Sequence, residues 1–326
     1  MPSPIFLSAT DQELPGDVPR GLARYVNVRE IARGGGGCLS VGRDRVTGRD
    51  VAIKTLLPDT AHDREHRRRF LREARLTAQL EHPNTVPVYD VGEDEGVGPY
   101  FVMKRISGEN LFQILVRIAT GDAATATVFP VSRRLDIVAD AAQALAYAHA
   151  RGVIHRDVKP ENIWVGNFGE VILLDWGVAK VWGHPDDNVP VRQSTVPTDA
   201  PEPTGRLTAA GGPLRTLTGG GTRPGTPLYM SPEQVRGDRS IDERSDVFAA
   251  GVCLYEAAVI REPFRGASID DTFDRILHHP PVKPSEANPD ADLPPGFDAV
   301  IERALAKSPG DRYPTMRDLI AAVRAL

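Results

Sequence analysis

The spacing of apolar and polar positions changes character near residue 108. Before it, short apolar runs alternate with turn-forming residues, as in a β-rich region. Residues 25–31 read as a strand, a run of glycines follows, and 39–43 read as a second strand. Val46, Thr47, Gly48, Arg49 and Asp50 make a turn that leads into an apolar strand at 51–55. One helical stretch interrupts the pattern: over 63–81, Phe70, Leu71, Ala74, Leu76, Ala78 and Leu80 supply an apolar face, and Arg and Glu cover the rest. Pro83 and Pro87 punctuate, and 86–91 and 100–105 read as two further strands. Beyond Gly108 the period turns helical. Residues 135–150 are the clearest case, with Ile137, Val138, Ala141, Ala144, Leu145 and Ala148 on one side. Strand-like pieces at 163–165 and 171–174 follow, and helical periodicity returns from Asp246 to the end, broken by a Pro-rich loop at 280–295. No internal repeat is present.

Two segments lack periodicity. Residues 1–24, with Pro2, Pro4, Pro15 and Pro19, read as a loose tail or strap. Residues 183–222 are rich in Pro, Gly and Thr and poor in large apolar side chains, so they cannot bury enough surface to offset their ordering entropy; a mobile loop is expected. The stretch 247–260 is continuously apolar, but it is too short to span a bilayer and contains Glu256, so it reads as a buried core helix.

Composition narrows the class. The 326 residues are 41% hydrophobic and 25% charged, which suits one or two globular domains. With 39 Lys and Arg against 44 Asp and Glu, the net charge of -5 gives no electrostatic case for nucleic acid. No basic region precedes the short apolar patch near Met1, so no secretory signal is expected. Cys38 and Cys253 make neither a disulfide framework nor a metal site, and a reducing cytoplasm is the expected compartment.

Several short motifs carry candidate chemistry. Gly34, Gly35, Gly36 and Gly37 lie between two expected strands; glycines there either form a turn or let backbone N–H groups approach a phosphate. No Gly-Lys-Ser/Thr opens a helix, so this is not the P-loop of nucleotide triphosphatases. Val51-Ala52-Ile53-Lys54 puts a lysine at the end of a buried strand, which is costly unless it is paired. Glu73 on the next helix is either its partner or an ordinary surface glutamate. In His155-Arg156-Asp157-Val158-Lys159-Pro160-Glu161-Asn162, the intervening proline suits a tight loop carrying Asp157 and Asn162. Asp175-Trp176-Gly177 follows an apolar strand, and a carboxylate at a strand end beside a loop asparagine offers oxygen ligands for Mg²⁺. Each piece alone reads equally well as a surface turn, but their joint order does not.

With these residues in hand, the chain over roughly 25–326 resembles the eukaryotic-like (Hanks-type) Ser/Thr protein kinases, in their bacterial form. The match runs through Gly34 to Gly37, Val51 to Lys54, Glu73, His155 to Asn162, Asp175-Trp176-Gly177 and Ser231-Pro232-Glu233. The resemblance implies an α+β, two-lobed protein kinase fold: a β-rich lobe and hinge at 25–107 with one main helix, and a mostly helical lobe at 108–326 carrying the insertion at about 183–222. It implies ATP-dependent phosphorylation of Ser and Thr hydroxyls of proteins, with Mg²⁺ (Mn²⁺ as the alternative), and autophosphorylation of the activation loop.

The roles that follow from the resemblance are these. Lys54 holds the α- and β-phosphates and Glu73 fixes the lysine. Asp157 accepts or orients the hydroxyl proton, and Lys159 steadies the γ-phosphate. Asn162 and Asp175 ligate the metal. Ala32, Gly34, Gly35, Gly36 and Gly37 form the phosphate loop. Leu39, Ala52 and Trp164 sandwich adenine, with Met103 as gatekeeper and Lys104 to Ile106 as hinge. Thr226 lines the substrate pocket, Glu233 pairs with Arg312, and Asp246 anchors the catalytic loop. Arg156 resembles the arginine of kinases switched on by loop phosphorylation, which makes Thr216, Thr218 and Thr222 the candidate phosphosites. Two copies pairing through the β-rich lobes is a further implication.

The departures are Ala32 for the first loop glycine, Trp164 for a smaller adenine-floor residue, Lys104 for an acidic hinge residue, and Trp176 for Phe. The indole N–H of Trp176 needs a partner if it is buried. None of these removes a phosphate or metal ligand. The basic run Arg64, Arg67, Arg68, Arg69 and Arg72 reads as a solvated face, with receipt of a phosphate or a partner as the other reading; Cys38 is either an accessible thiol or a small packing residue. Two rival functions remain on the table: a catalytically silent kinase-fold scaffold, and a small-molecule phosphotransferase, the latter opposed by Thr226 to Glu233 and Arg312.

Overall fold

In the computed structural model, the structure describes residues 19–34, 37–57, 59, 63–181, 227–238 and 240–326. The chain divides into two compact units. One comprises residues up to Glu81 with Val86–Ser107; the other takes His82–Thr85 and Gly108–Leu326.

The first unit is an antiparallel five-stranded sheet with one helix. Its elements are β1 (Tyr25–Gly34), β2 (Gly37–Asp44), β3 (Asp50–Thr55), α1 (Arg64–Gln79), β4 (Val88–Asp94) and β5 (Gly98–Lys104), and the sheet order is β1-β2-β3-β5-β4. The period-two alternation of β3 and β5 puts an apolar set on each face. On one face Leu56, Phe101, Phe70 and Ala74 cluster, joining α1 to the sheet, with the Phe70 and Phe101 rings 5.2 Å apart. On the other, Tyr25, Val51, Ile53, Tyr100 and Val102 pack together with Leu22. Leu22 belongs to a 3₁₀ turn at Gly21–Arg24, so the end of the expected loose tail is ordered because it covers this apolar face.

Helix α1 begins where Asp63 caps it, its carboxylate accepting the N–H groups of Glu65 and His66. Its buried positions are Phe70, Ala74, Leu76 and Thr77, while Ala78 is exposed. The inward stripe thus runs 70, 74, 77 at helical spacing, and Ala78 falls outside it. On the outward side, Arg67 pairs with Glu93 and Arg69 with Glu65.

The second unit is mainly helical. It contains β6 (Glu109–Asn110), α2 (Leu111–Ala119), α3 (Ala123–Val128), α4 (Val131–His149), β7 (Val153–Ile154), β8 (Ile163–Val165), β9 (Val171–Leu173), β10 (Lys180–Val181), α5 (Pro232–Arg236), α6 (Arg244–Val259), α7 (Ile269–His278), α8 (Pro284–Ala287), α9 (Phe297–Ala304) and α10 (Met316–Arg324). The four-residue α8 lies within the stretch expected as loop, since Pro284 suits a first helical position. Helix α6 is buried on every side from Ser245 to Val259, which makes it the axis of this unit. Its carboxylate Glu256 accepts the Tyr229 hydroxyl at 2.5 Å. Helix α4 packs on α6 and α10, and most of its residues, many of them alanine, are buried. The strands form two small sheets, β6-β8-β9 and β10-β7.

Residues 82–85 belong here although their neighbours in sequence do not. Thr85 bridges Leu173, Leu173 N donates to Asn84 O at 2.8 Å, and Asn84 Nδ2 donates to Val171 O at 2.7 Å. Neither cysteine forms a disulfide, and among the described residues no helix is long and apolar enough to cross a membrane. The expected mobile loop at 183–222 lies outside the described residues.

Candidate active site

In the first unit, β1 and β2 form a hairpin in which Gly34 pairs with Gly37, and Gly35 and Gly36 lie outside the described residues. Gly37 has φ +125°, and a Cβ there would sit 2.2 Å from the Thr55 carbonyl oxygen. A side chain is therefore excluded by the neighbouring strand itself. Ala32 is exposed opposite Leu39, and Leu39 in turn faces Lys54. Ala52 is buried and pairs with Met103, while Lys104 N donates to Pro87 O at 2.9 Å and Ile106 follows, half-buried.

The alternation that buries Val51 and Ile53 on one face turns Lys54 to the face covered by α1. There its Nζ donates to Glu73 Oε1 at 2.5 Å and lies 5.7 Å from the Phe101 ring centre. A half-buried ammonium needs such a counter-charge. Glu73 is thus partnered and is no free surface glutamate.

In the second unit, the loop after β7 carries the other candidates. Lys159 Nζ donates to Asp157 Oδ2 at 2.6 Å. Burial opposes the lysine charge, but the neighbouring Asp157 carboxylate outweighs it and holds Lys159 above its ordinary value. Asn162 is buried; its Nδ2 donates to the Asp157 carbonyl at 2.8 Å and lies 3.3 Å from Asp157 Oδ2. That commitment orients the amide, and among the described residues its acceptor oxygen Oδ1 carries no hydrogen bond. Asp175, just past β9, is exposed and, among the described residues, takes one long bond, from Gly177 N at 3.3 Å. Asp175 and Arg156 both have positive φ, +64° and +68°, a cost that non-glycine residues bear chiefly at functional sites. The structure therefore supplies two hard oxygen donors, Asn162 Oδ1 and the Asp175 carboxylate. Among the described residues no group of three His, Cys, Asp or Glu side chains forms a closed metal cage. Such an open set suits a cation whose remaining ligands are phosphate oxygens and water.

The loop is pinned from beneath. Asp246, fully buried on α6, accepts the N–H of His155 and of Arg156, both at 2.8 Å, and Nε2 of His149 at 2.8 Å. Burial pushes its carboxyl up, yet these donors and the nearby histidines prevail and hold it below the usual carboxylate range. His155 accepts the Asp157 N–H at Nδ1, so its Nε2 carries the proton and faces Leu174 O at 3.0 Å. Gln234 Nε2 donates to Arg156 O at 2.9 Å, and Arg156 Nε donates to Val178 O at 2.7 Å. His149 and Gln234 escaped the sequence analysis, because each acts only through a residue far away in the chain.

Trp176 is 1% exposed and packs edgewise on His155, ring centres 4.6 Å apart. Its indole Nε1 finds no partner among the described residues, against the expectation that burial would bring one. Trp164 sits half-buried on β8, opposite Ile172. Below, Glu233 and Arg312 form a two-pronged pair at 2.7 and 2.8 Å. Thr216, Thr218, Thr222 and Thr226 lie outside the described residues.

Residues 25–322 match the family model of the protein kinase domain. The chain belongs to this family. The kinase domain is 36% identical over 309 residues to serine/threonine-protein kinase PknB of Mycolicibacterium smegmatis, covering 93% of this chain and 43% of that protein. It is 35% identical over 301 residues to PknB of Mycobacterium tuberculosis, with 91% and 42% covered. Against serine/threonine-protein kinase PknD of Chlamydia abortus the identity is 32% over 307 residues, with 93% and 31% covered. The chain thus spans less than half the length of the curated relatives it matches, and all three are Ser/Thr protein kinases by name. It is a protein kinase domain with the two-lobed α+β fold, and the family's general requirements are ATP and a divalent cation.

Proposed function

We propose that this kinase domain transfers the γ-phosphoryl group of ATP to Ser or Thr hydroxyls of proteins, its own activation segment included. The observation that carries the reading is the Lys159–Asp157–Asn162 cluster, built on a backbone that Asp246 clamps. A phosphoryl transfer needs positioning and charge neutralisation more than covalent help. Asp157 accepts the hydroxyl proton as the oxygen attacks the γ-phosphorus and the bond to the β-phosphate oxygen breaks, releasing ADP. Lys159, bonded to it at 2.6 Å, meets the γ-phosphate charge. Lys54, steadied by Glu73, takes the α- and β-phosphates.

Asn162 and Asp175 would hold Mg²⁺, or Mn²⁺ in its place, and the bound ion would neutralise phosphate charge. Leu39, Ala52, Met103, Lys104, Ile106 and Trp164 are assigned to the adenine, and Ala32 with the glycines at 34–37 to the phosphates. Thr226 is assigned to the substrate pocket and Thr216, Thr218 and Thr222 to autophosphorylation. Pairing of two copies through the β-rich lobes and a cytoplasmic site of action complete the reading.

Intact-mass spectrometry after incubation with Mg²⁺ and ATP, beside Asp157→Asn, tests it. Stepwise gains of one phosphate mass that vanish in the variant support it, and fragmentation places the sites. No gain, no labelling of a generic Ser/Thr peptide and no ATP binding would replace it with the scaffold reading.

A further inference from the structure

Asp246 holds the loop by two backbone N–H groups, but a carboxylate with no exposed atom needs more than that. It can accept four hydrogen bonds, and an uncompensated buried charge is among the costliest features in a protein. Among the described residues one side chain reaches it: His149, in the last turn of α4, with Nε2 at 2.8 Å from Oδ2 and its own side chain only 9% exposed. That same oxygen accepts His155 N, while Oδ1 accepts Arg156 N. His149 is thus the described side chain that shares Oδ2 with the His155 N–H, leaving Oδ1 to the Arg156 N–H.

The loop depends on that grip. Arg156 is held at φ +68°, a conformation a non-glycine residue leaves when its restraint is removed. Asp157 is the next residue, so relaxation at Arg156 swings the proton acceptor. Nothing else about His149 suggests a packing role alone: its Nδ1 is buried with no partner among the described residues, a cost that a purely apolar residue here would avoid.

We propose that His149 is a positioning residue for phosphoryl transfer, acting through Asp246 on the Arg156 backbone and thence on Asp157. The inference rests on the catalytic reading of Asp157 given above. It touches neither ATP nor the substrate hydroxyl, so its loss should lower kcat and spare both KM values.

The test compares wild type with His149→Ala, His149→Met, which keeps bulk without a donor, and His149→Gln, whose amide nitrogen can reach the place of Nε2. In Ala and Met, kcat should fall roughly 10- to 100-fold with KM for ATP and peptide held within about twofold, the size expected when a reacting group is misplaced by about an ångström. Gln should recover most of the rate. Hydrogen exchange of the amides at 155 and 156, read by mass spectrometry, should quicken in Ala and Met and slow again in Gln. Should Ala fail to fold, the Met and Gln pair decides alone. Unchanged exchange at 155 and 156 in Met, or Gln as impaired as Met, overturns the proposal. Because exchange is read without turnover, an inactive wild type would sink the catalytic reading while the clamp is still decided by the amides.

Discussion

Arg312 is 1% exposed, and every N–H of its guanidinium is engaged. Nη1 donates to Glu233 Oε1 at 2.7 Å and to Arg244 O at 2.9 Å; Nη2 donates to Glu233 Oε2 at 2.8 Å and to Lys307 O at 3.1 Å; Nε donates to Ala306 O at 2.8 Å. Ser245 Oγ adds a 2.5 Å bond to Glu233. Two routes give the worth of this pair. Burial pushes the Glu233 carboxyl up, but Arg312 prevails and brings it from 4.5 down to about 2. That drop corresponds to about 3 kcal/mol of stability at neutral pH. Removing one partner of a buried pair costs about 3–5 kcal/mol on general grounds.

For a unit of this size about 1 kcal/mol moves Tm by roughly 2–4 °C, so Arg312→Ala should lower the melting of the helical unit by about 6–20 °C. Glu233→Gln mimics the protonated carboxyl. Since the folded value is depressed, the Glu233 contribution is fully present above pH 4.5 and is lost as pH falls towards 2. The Tm gap between wild type and Glu233→Gln, read by calorimetry from pH 7 to 3, should therefore narrow only below pH 4.5. The combined Glu233→Leu, Arg312→Met variant should recover part of the loss, because both charges go while three backbone carbonyls lose their donor. A Tm loss under about 3 °C for Arg312→Ala, or a gap as wide at pH 3 as at pH 7, would refute the reasoning.

Gly37→Ala, with its Cβ driven towards the Thr55 carbonyl and φ +125°, should cost more than about 2 kcal/mol in the β-rich unit, whereas Gly34→Ala, where a Cβ meets nothing within 4 Å, should be nearly neutral; thermal melts of the two variants separate these cases. Trp176→Phe deletes a buried donor that has no acceptor among the described residues, so the gain of about 1–3 kcal/mol offsets the lost volume and Tm should hold or rise; a drop beyond about 5 °C would show that Nε1 is satisfied after all. Lys307 is drawn from 10.5 down to about 8, by burial first and then by the Arg312 charge, although it donates to the Arg275 and Ile276 carbonyls. The unfolded chain keeps that proton between pH 8 and 10.5 and the folded one does not, so wild type should gain up to about 1 kcal/mol across this window relative to Lys307→Met, read as the difference in Tm against pH.

How far the chain can be read without coordinates depends on where the information lies. Strands β3 and β5 and helix α6 are legible because burial on one face or all faces writes a period or an unbroken run into neighbouring residues. Lys54 announces that a counter-charge is needed, since a lysine in an apolar strand demands one, but only the geometry singles out Glu73 as its partner. The pieces β6, β7 and β10 are two residues each, too short to carry any period. His149 looks like the solvent end of an alanine-rich helix; its meaning comes from Asp246, 97 positions later. Leu22 likewise reads as part of a loose tail until the apolar face of β3 and β5 is seen to need a cover.

The course of the chain at His82–Thr85 has a consequence for anyone who would cut or graft this molecule. The backbone passes between the two units three times, at 81/82, 85/86 and 107/108, so neither is a contiguous stretch of sequence. A truncation that begins at Gly108 removes the strand-like partner of β9, stripping Leu173 N of its acceptor and Val171 O of its donor. Exchange of the β-rich unit between relatives is thus a three-junction operation, and a chimera made at a single splice point inherits a four-residue patch written for the wrong host.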